Sequence, residues 1–188
     1  MYVNGTKVYP YIKYRYSNWL DEDYVVYEFP NLGKYEVKII FNKTLTDMKY
    51  LFADCYDLIS IEFNEAFDTS HVLCMYYMFA SCDSLEKINV SSFNTSLVGN
   101  MEGMFASLYS LTSLDLSNFD TKNVDFIQCM FSGSKQLNYL DISSFDFTNI
   151  AGTGWVFNNI APIGTIIVNK KFKDLSMLPK NWKIIYKD

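Results

Sequence analysis

The feature that most constrains this chain is self-similarity at a fixed step. Phe52, Phe79, Phe105, Phe131 and Phe157 lie 27, 26, 26 and 26 residues apart. Leu58, Leu85, Leu111, Leu137 and Ile163 keep those steps, as do Ile61, Ile88, Leu114, Leu140 and Ile166, and Phe63, Val90, Leu116, Ile142 and Val168. The one additional residue lies between Phe63 and Phe67, because Phe67, Phe93, Phe119 and Phe145 step by 26, and so do Val72, Val98, Val124 and Ile150. A period of this length marks an array of supersecondary units, each of which buries its apolar face only against its neighbours. Five copies are present, over residues 45–169.

Each copy divides into two apolar periods. In Leu111-x-x-Leu114-x-Leu116 the apolar residues at 114 and 116 alternate, which predicts a short half-buried strand. Upstream, Val98, Met101, Met104, Phe105, Leu108 and Leu111 step by threes and fours, which predicts one face of a short helix. Between strand and helix stands Phe119-Asp120-Thr121, matched by Phe67-Asp68-Thr69, Phe93-Asn94-Thr95 and Phe145-Asp146-Phe147. Asp, Asn and Thr accept hydrogen bonds from free backbone N–H groups, so this column predicts an Asx-type turn or a helix N-cap. The expected fold class is therefore α/β: a leucine-rich-repeat-type solenoid with a parallel strand ladder and one short helix per coil.

The ends predict caps on one continuous folded unit. Residues 1–44 are expected to form an antiparallel β cap, with strands over Tyr24–Phe29 and Tyr35–Phe41 and hairpin turns at Asn4-Gly5 and Pro30-Asn31-Leu32-Gly33. Residues 45–169 form the solenoid. Its fifth copy is degenerate, because Gly152, Gly154 and Pro162 interrupt the helical part. Residues 170–188 are expected to cover the other end.

The phrase Met101-Glu102-Gly103-Met104-Phe105, running on to Asn123-Val124, closely resembles the leucine-rich repeats of BspA-like surface proteins. The second copy carries the matching Met78-Phe79-x-x-Cys82 followed by Ser84-Leu85, and Pro162–Val168 with Pro179-Lys180-Asn181-Trp182 resembles the tail that follows such arrays. The resemblance spans roughly residues 45–185. It implies a right-handed α/β solenoid and a role in adhesion or protein–protein contact at a cell surface. It implies no catalytic residues.

Charge narrows the partners. Net charge is −5, and residues 46–169 hold four Lys against fourteen Asp or Glu. Such a body repels a phosphate backbone, so nucleic-acid binding is not expected. Residues 170–188 hold six Lys and two Asp, a basic flank that reads as solvated. No apolar run approaches a membrane span, and none inserts. Met1 to Pro10 lacks the charged-then-apolar pattern of an export signal, which leaves a different route, a mature form or an excised domain. Location is left open between the cell surface, a virion and the cytoplasm.

No metal, cofactor or catalytic constellation is expected. The four cysteines and single His71 show no metal-ligand spacing, and no nucleophile–base pair or phosphate-binding glycine loop stands out. Met48, Met75, Met78, Met101, Met104 and Met130 read as core filler. Cys55 and Cys82 share a column with Leu108 and Ser134 and read as buried free thiols; a disulfide between them requires Cα atoms within about 7 Å. Tyr9, Tyr11, Tyr14, Tyr16, Tyr24, Tyr27 and Trp19 read either as cap packing or as an aromatic platform.

The candidate binding face is the outward side of the strand ladder: Glu62, Lys87, Asn89, Ser113, Asp115, Tyr139 and Asp141. Asp115 and Asp141 fall on adjacent rungs, roughly 4.8 Å apart, which superficially resembles a catalytic carboxylate pair. The sequence therefore reads as a non-enzymatic recognition module that binds a protein, or a glycan, through this ladder or the aromatic cap. The alternative is a structural building block of a larger assembly, a virion or a surface layer, that packs through its caps; self-association is then expected.

Overall fold

Alternating apolar residues at a 26-residue period do produce strands, and their pairing is parallel. The computed structural model describes residues 2–7, 11–17, 20–26, 35–41, 43–64, 67–172 and 175–188. The chain divides into two compact units, Met1–Lys43 and Thr44–Asp188.

The first unit is antiparallel. Strands β1 (Tyr2–Val3) and β2 (Thr6–Lys7) form a hairpin around Asn4 and Gly5, whose positive φ of 45° and 78° suits a tight turn. Strands β3 (Tyr11–Ser17) and β4 (Leu20–Val26) pair in seven-residue register. The strand expected over Tyr35–Phe41 shrinks to β5 (Val37–Lys38), which is exposed and pairs with β1 rather than running into a helix. Pro30–Gly33, Tyr9, Trp19 and Tyr27 lie outside the described residues.

In the second unit the strands are β6 (Ser60–Ile61), β7 (Lys87–Ile88), β8 (Ser113–Asp115), β9 (Tyr139–Ile142), β10 (Gly164–Asn169) and β11 (Trp182–Lys187). All pairings among them are parallel: β6 with β7, and β8 to β11 in consecutive order. Leu114, Leu140 and Ile166 share one register row and are buried. A second ladder of parallel bridges joins Asp47, Cys74, Asn100, Phe126 and Gly152, one position per copy.

The expected helix in each copy does not form. The described residues contain no α-helix and one short 3-10 turn, Leu175–Met177, so the architecture is mostly strand rather than α/β. The reason lies in where the backbone N–H groups go. Those of Met101, Gly103, Phe105 and Ser107 donate across to the carbonyls of Phe126, Gln128, Met130 and Ser132 in the next copy, at 2.7–3.0 Å. The intervening Met104 and Ala106 close β-turns onto Met101 and Gly103. Each copy also holds two residues in the left-handed region: Tyr50, Tyr77, Gly103, Cys129 and Trp155 in one column, Asp54, Ser81, Ser107, Gly133 and Asn159 in another, with φ from 50° to 80°. A left-handed residue every fourth position prevents an α-helix, which requires right-handed φ throughout. The run of turns still places Met101, Met104, Phe105, Leu108 and Leu111 inward, all at most 1 % exposed. The expected core side chains are right and the expected backbone is not.

Within its column Gly103 stands where a side chain has no room, because the Tyr77 ring of the preceding copy lies over it. A Cβ at this position would meet the Tyr77 ring at 2.5 Å, on a backbone with φ of 60°. We expect Gly103→Ala to destabilise by about 1–3 kcal/mol through left-handed strain and displacement of that ring. Equilibrium denaturation measures this, and an unchanged midpoint would show that neither effect matters.

The core is continuous through the copies. Phe52, Phe79, Phe105, Phe131 and Phe157 stack with centroids 5.5, 5.7, 6.2 and 5.6 Å apart and near-parallel rings. The six repeated methionines are buried among them, as expected. The fifth copy keeps the lateral bonds and the left-handed positions of the others, so its glycines and proline interrupt no helix; its departure is at Ile163, in a column that is core or half-buried in the earlier copies and here 70 % exposed. Beyond it β11 adds a further rung, anchored by Trp182, whose Nε1–H donates to the Ala161 carbonyl at 2.8 Å.

Candidate functional site

The outward side of the ladder falls into two sets. Lys87 of β7 pairs with Ser60 of β6, and Glu62 and Asn89 each follow the end of those paired strands. Ser113 pairs with Tyr139 and Asp115 with Asp141 across β8 and β9. No strand pairing joins β7 to β8 among the described residues. Glu62, Lys87, Asn89, Ser113, Asp115 and Tyr139 are exposed; Asp141 is buried, against the expectation of a solvent-facing column.

The polar column has a local task. Oδ1 of Asn89, Asp115 and Asp141 accepts the backbone N–H of Ser91, Ser117 and Ser143, at 3.0, 2.9 and 2.9 Å. Each is an Asx turn that brings the chain out of its strand. Asp141 is held twice, because Lys187 Nζ of β11 lies 3.5 Å from its Oδ2. On the next strand its register partner is Ile167, and beyond that Ile185. The resemblance of Asp115 and Asp141 to a catalytic pair therefore dissolves: one carboxylate serves a turn at the surface, and the other is buried in a turn and an ion pair.

The Asx column before the run of turns resolves the same way. Asp68, Asn94, Asp120 and Asp146 accept the N–H two residues on, at 2.8–3.1 Å. Hydrogen bonds from the Ser70 and Thr148 hydroxyls, with the backbone N–H of the same residues, hold the Asp68 and Asp146 carboxyls below the usual carboxylate range. His71 is exposed and contacts Ser70 at 3.0 Å and Asp68 at 3.8 Å. Among the described residues no group of three His, Cys, Asp or Glu side chains is arranged to hold a metal ion.

Sequence reasoning missed one surface cluster. Tyr50, Tyr76 and Tyr77 pack within 4.6–6.0 Å of one another beside Glu102 and Cys129. Burial, then the neighbouring Cys129, Tyr76 and Glu102, pushes the Tyr77 hydroxyl up to about 12, so it stays a neutral hydrogen-bonding group. Tyr50 and Tyr77 occupy one repeat column, and that column was the available signal. The left-handed φ that turns them outward is not visible in aromatic residue types.

A parallel ladder of short strands over stacked internal copies defines a repeat protein. A family model described as "Mycoplasma protein of unknown function, DUF285" matches residues 46–169. The match covers most of the chain, which belongs to this family. No curated protein and no solved structure matches it. No helix among the described residues is long and apolar enough to cross a membrane.

Proposed function

We propose that the second unit is a right-handed solenoid of BspA-like leucine-rich-repeat type, and that it is a non-enzymatic recognition module binding a protein. The observation that carries this reading is a contrast between inside and outside. Core columns repeat Phe, Met and Leu from copy to copy, while one outward column runs Ser60, Lys87, Ser113, Tyr139 and Thr165 and the other starts Glu62, Asn89 and Asp115 before turning buried at Asp141. A rigid scaffold with individually varied exposed side chains suits recognition of an extended partner surface, with specificity set by those side chains.

The test separates face from fold. Protein and glycan arrays probed with the full chain identify a binder. The triple variant Lys87→Glu, Asp115→Asn, Tyr139→Ala is then compared with the wild type. Asp115→Asn keeps the Oδ1 acceptor for Ser117, so the turn survives while the charge is lost. We expect binding to weaken at least about tenfold with an unchanged melting midpoint, because exposed interface anchors typically contribute 1–2 kcal/mol or more. Undiminished binding excludes this face. A glycan as the sole binder shifts the reading from protein to sugar recognition.

A second reading, a building block that packs through its ends, is favoured by β11. It stands at the edge of its sheet, with Ile185 and Tyr186 exposed. Edge strands pair readily with another chain, although Lys183 and Lys187 on this one oppose such pairing and Ile185 and Tyr186 are the residues that would carry it. Light scattering decides, since a monomer at high concentration excludes self-assembly.

A further inference from the structure

Cys55 and Cys82 occupy equivalent positions in the first and second copies, and the structure gives them unlike surroundings. Cys55 is exposed, which corrects the expectation of a buried thiol, and Cys82 is fully buried. The backbones around them are tied on both sides. Asp54 N–H donates to the Ala80 carbonyl at 2.8 Å, and Ser84 N–H donates to the Tyr56 carbonyl at 3.0 Å. Laterally bonded parallel segments lie about 4.8 Å apart, inside the Cα separation of roughly 4.4–6.8 Å that a disulfide spans. Cys82 Sγ donates to the Phe52 carbonyl at 3.0 Å, and its thiol is close enough to that of Cys55 for each to perturb the other's ionisation.

We propose that Cys55 and Cys82 form a peroxide-reactive dithiol, in which exposed Cys55 is oxidised first and buried Cys82 resolves it to a disulfide that staples the first copy to the second. The Cys55 thiolate attacks one oxygen of hydrogen peroxide. The O–O bond breaks, hydroxide leaves and takes a proton from solvent, and Cys55 becomes a sulfenic acid. The Cys82 sulfur then attacks the Cys55 sulfur. The S–O bond breaks, and the hydroxyl departs as water with the proton of the Cys82 thiol. Two thiols lose two electrons, and one peroxide becomes two waters.

The order follows from the site. The hydrogen bond with Cys82 holds the Cys55 thiol below its ordinary range, outweighing its desolvation. The same contact, with burial, pushes the Cys82 thiol up, so the residue that meets solvent is also the one whose thiol ionises more readily. Cys74 and Cys129 occupy other columns, where the neighbouring copies carry Asp47 and Asn100, and Gly103 and Trp155, rather than cysteine.

The test treats the reduced full chain with one equivalent of hydrogen peroxide, blocks remaining thiols with N-ethylmaleimide and maps peptides by mass spectrometry without reduction. The expected product is monomeric chain in which the Cys55 and Cys82 peptides are linked and two hydrogens lighter, with Cys74 and Cys129 blocked. Its melting midpoint should rise by roughly 5–10 °C and fall back on reduction, because the link closes a long loop in the unfolded chain. In Cys82→Ser, Cys55 should persist as a sulfenic acid captured by dimedone. That variant has a precedent within the chain, since Ser134 fills the equivalent position two copies on and its hydroxyl donates to the Phe105 carbonyl at 2.9 Å. Links only between chains, oxidation confined to Cys74 or Cys129, or no sulfenic acid in Cys82→Ser each overturn the proposal.

Discussion

Phe105→Ala is expected to lower the unfolding free energy by about 3–5 kcal/mol, the range for removing a fully buried aromatic side chain. The ring sits at the middle of the phenylalanine stack, 5.7 Å from Phe79 and 6.2 Å from Phe131, and also meets Phe119 at 6.5 Å. Its cavity has little room to collapse, because both neighbouring rings are fixed by their own copies' lateral backbone bonds. Since each copy is stabilised through its two interfaces, a defect in a central copy weakens both. Phe157→Ala is the internal comparison. That ring is only half-buried and has one stacked neighbour, Phe131, so roughly half the loss is expected. Urea denaturation of both variants checks the gradient. Equal losses would mean that the stack does not transmit stability between copies.

Phe105 was also legible in the sequence, and the reason is physical. A side chain's column reports which way it points, and inward side chains must be apolar whatever backbone carries them. The columns through Phe105, Leu111 and Leu114 therefore located the core, and the alternation at Leu114 and Leu116 located the strands. The backbone between Val98 and Leu111 was not legible. A run of β-turns bonded laterally to the next copy places apolar side chains inward at steps of three and four, much as a helix does. Gly103, Gly133, Asn159 and Asp54 carried the discriminating signal, being the residue types that accept positive φ. Tyr50, Tyr77, Cys129 and Trp155 in the same columns diluted it.

The candidate face was legible in position and misjudged in chemistry. Ser113, Asp115 and Tyr139 do face solvent where alternation put them. Asp141 does not, because Lys187 reaches it from a strand two rungs away, and no spacing rule within the repeat announces a contact with the tail. The turn role of Asn89, Asp115 and Asp141 was hidden for a related reason. A polar residue after a strand has the same appearance whether it binds a ligand or its own backbone, and only the distance to the N–H two residues on distinguishes them.

Thr95→Val is expected to destabilise by about 2–4 kcal/mol, although it changes neither size nor shape appreciably. Thr69, Thr95 and Thr121 are at most 2 % exposed and form a ladder that links copies without strands. Each hydroxyl accepts the backbone N–H of Asn94, Asp120 or Asp146 in the next copy, at 2.7–2.8 Å, and donates to that same residue's carbonyl at 3.0–3.1 Å. One side chain thus satisfies a donor and an acceptor belonging to a neighbouring copy. Valine fills the same space and leaves both groups without a partner. Thr95→Ser keeps the hydroxyl and removes one methyl, for which about 1 kcal/mol is expected. The comparison therefore isolates hydrogen bonding from packing, and valine no more destabilising than serine would sink the ladder as a stabilising element. Because the groups involved are neutral, the difference between the two variants should be the same at low and high salt, unlike that of a surface ion pair. The fourth position of the column is Phe147, which has no hydroxyl and instead packs against Phe145 and Phe172 at 5.9 and 4.5 Å. The ladder ends where the tail begins, and an aromatic contact takes over the work of joining one to the other.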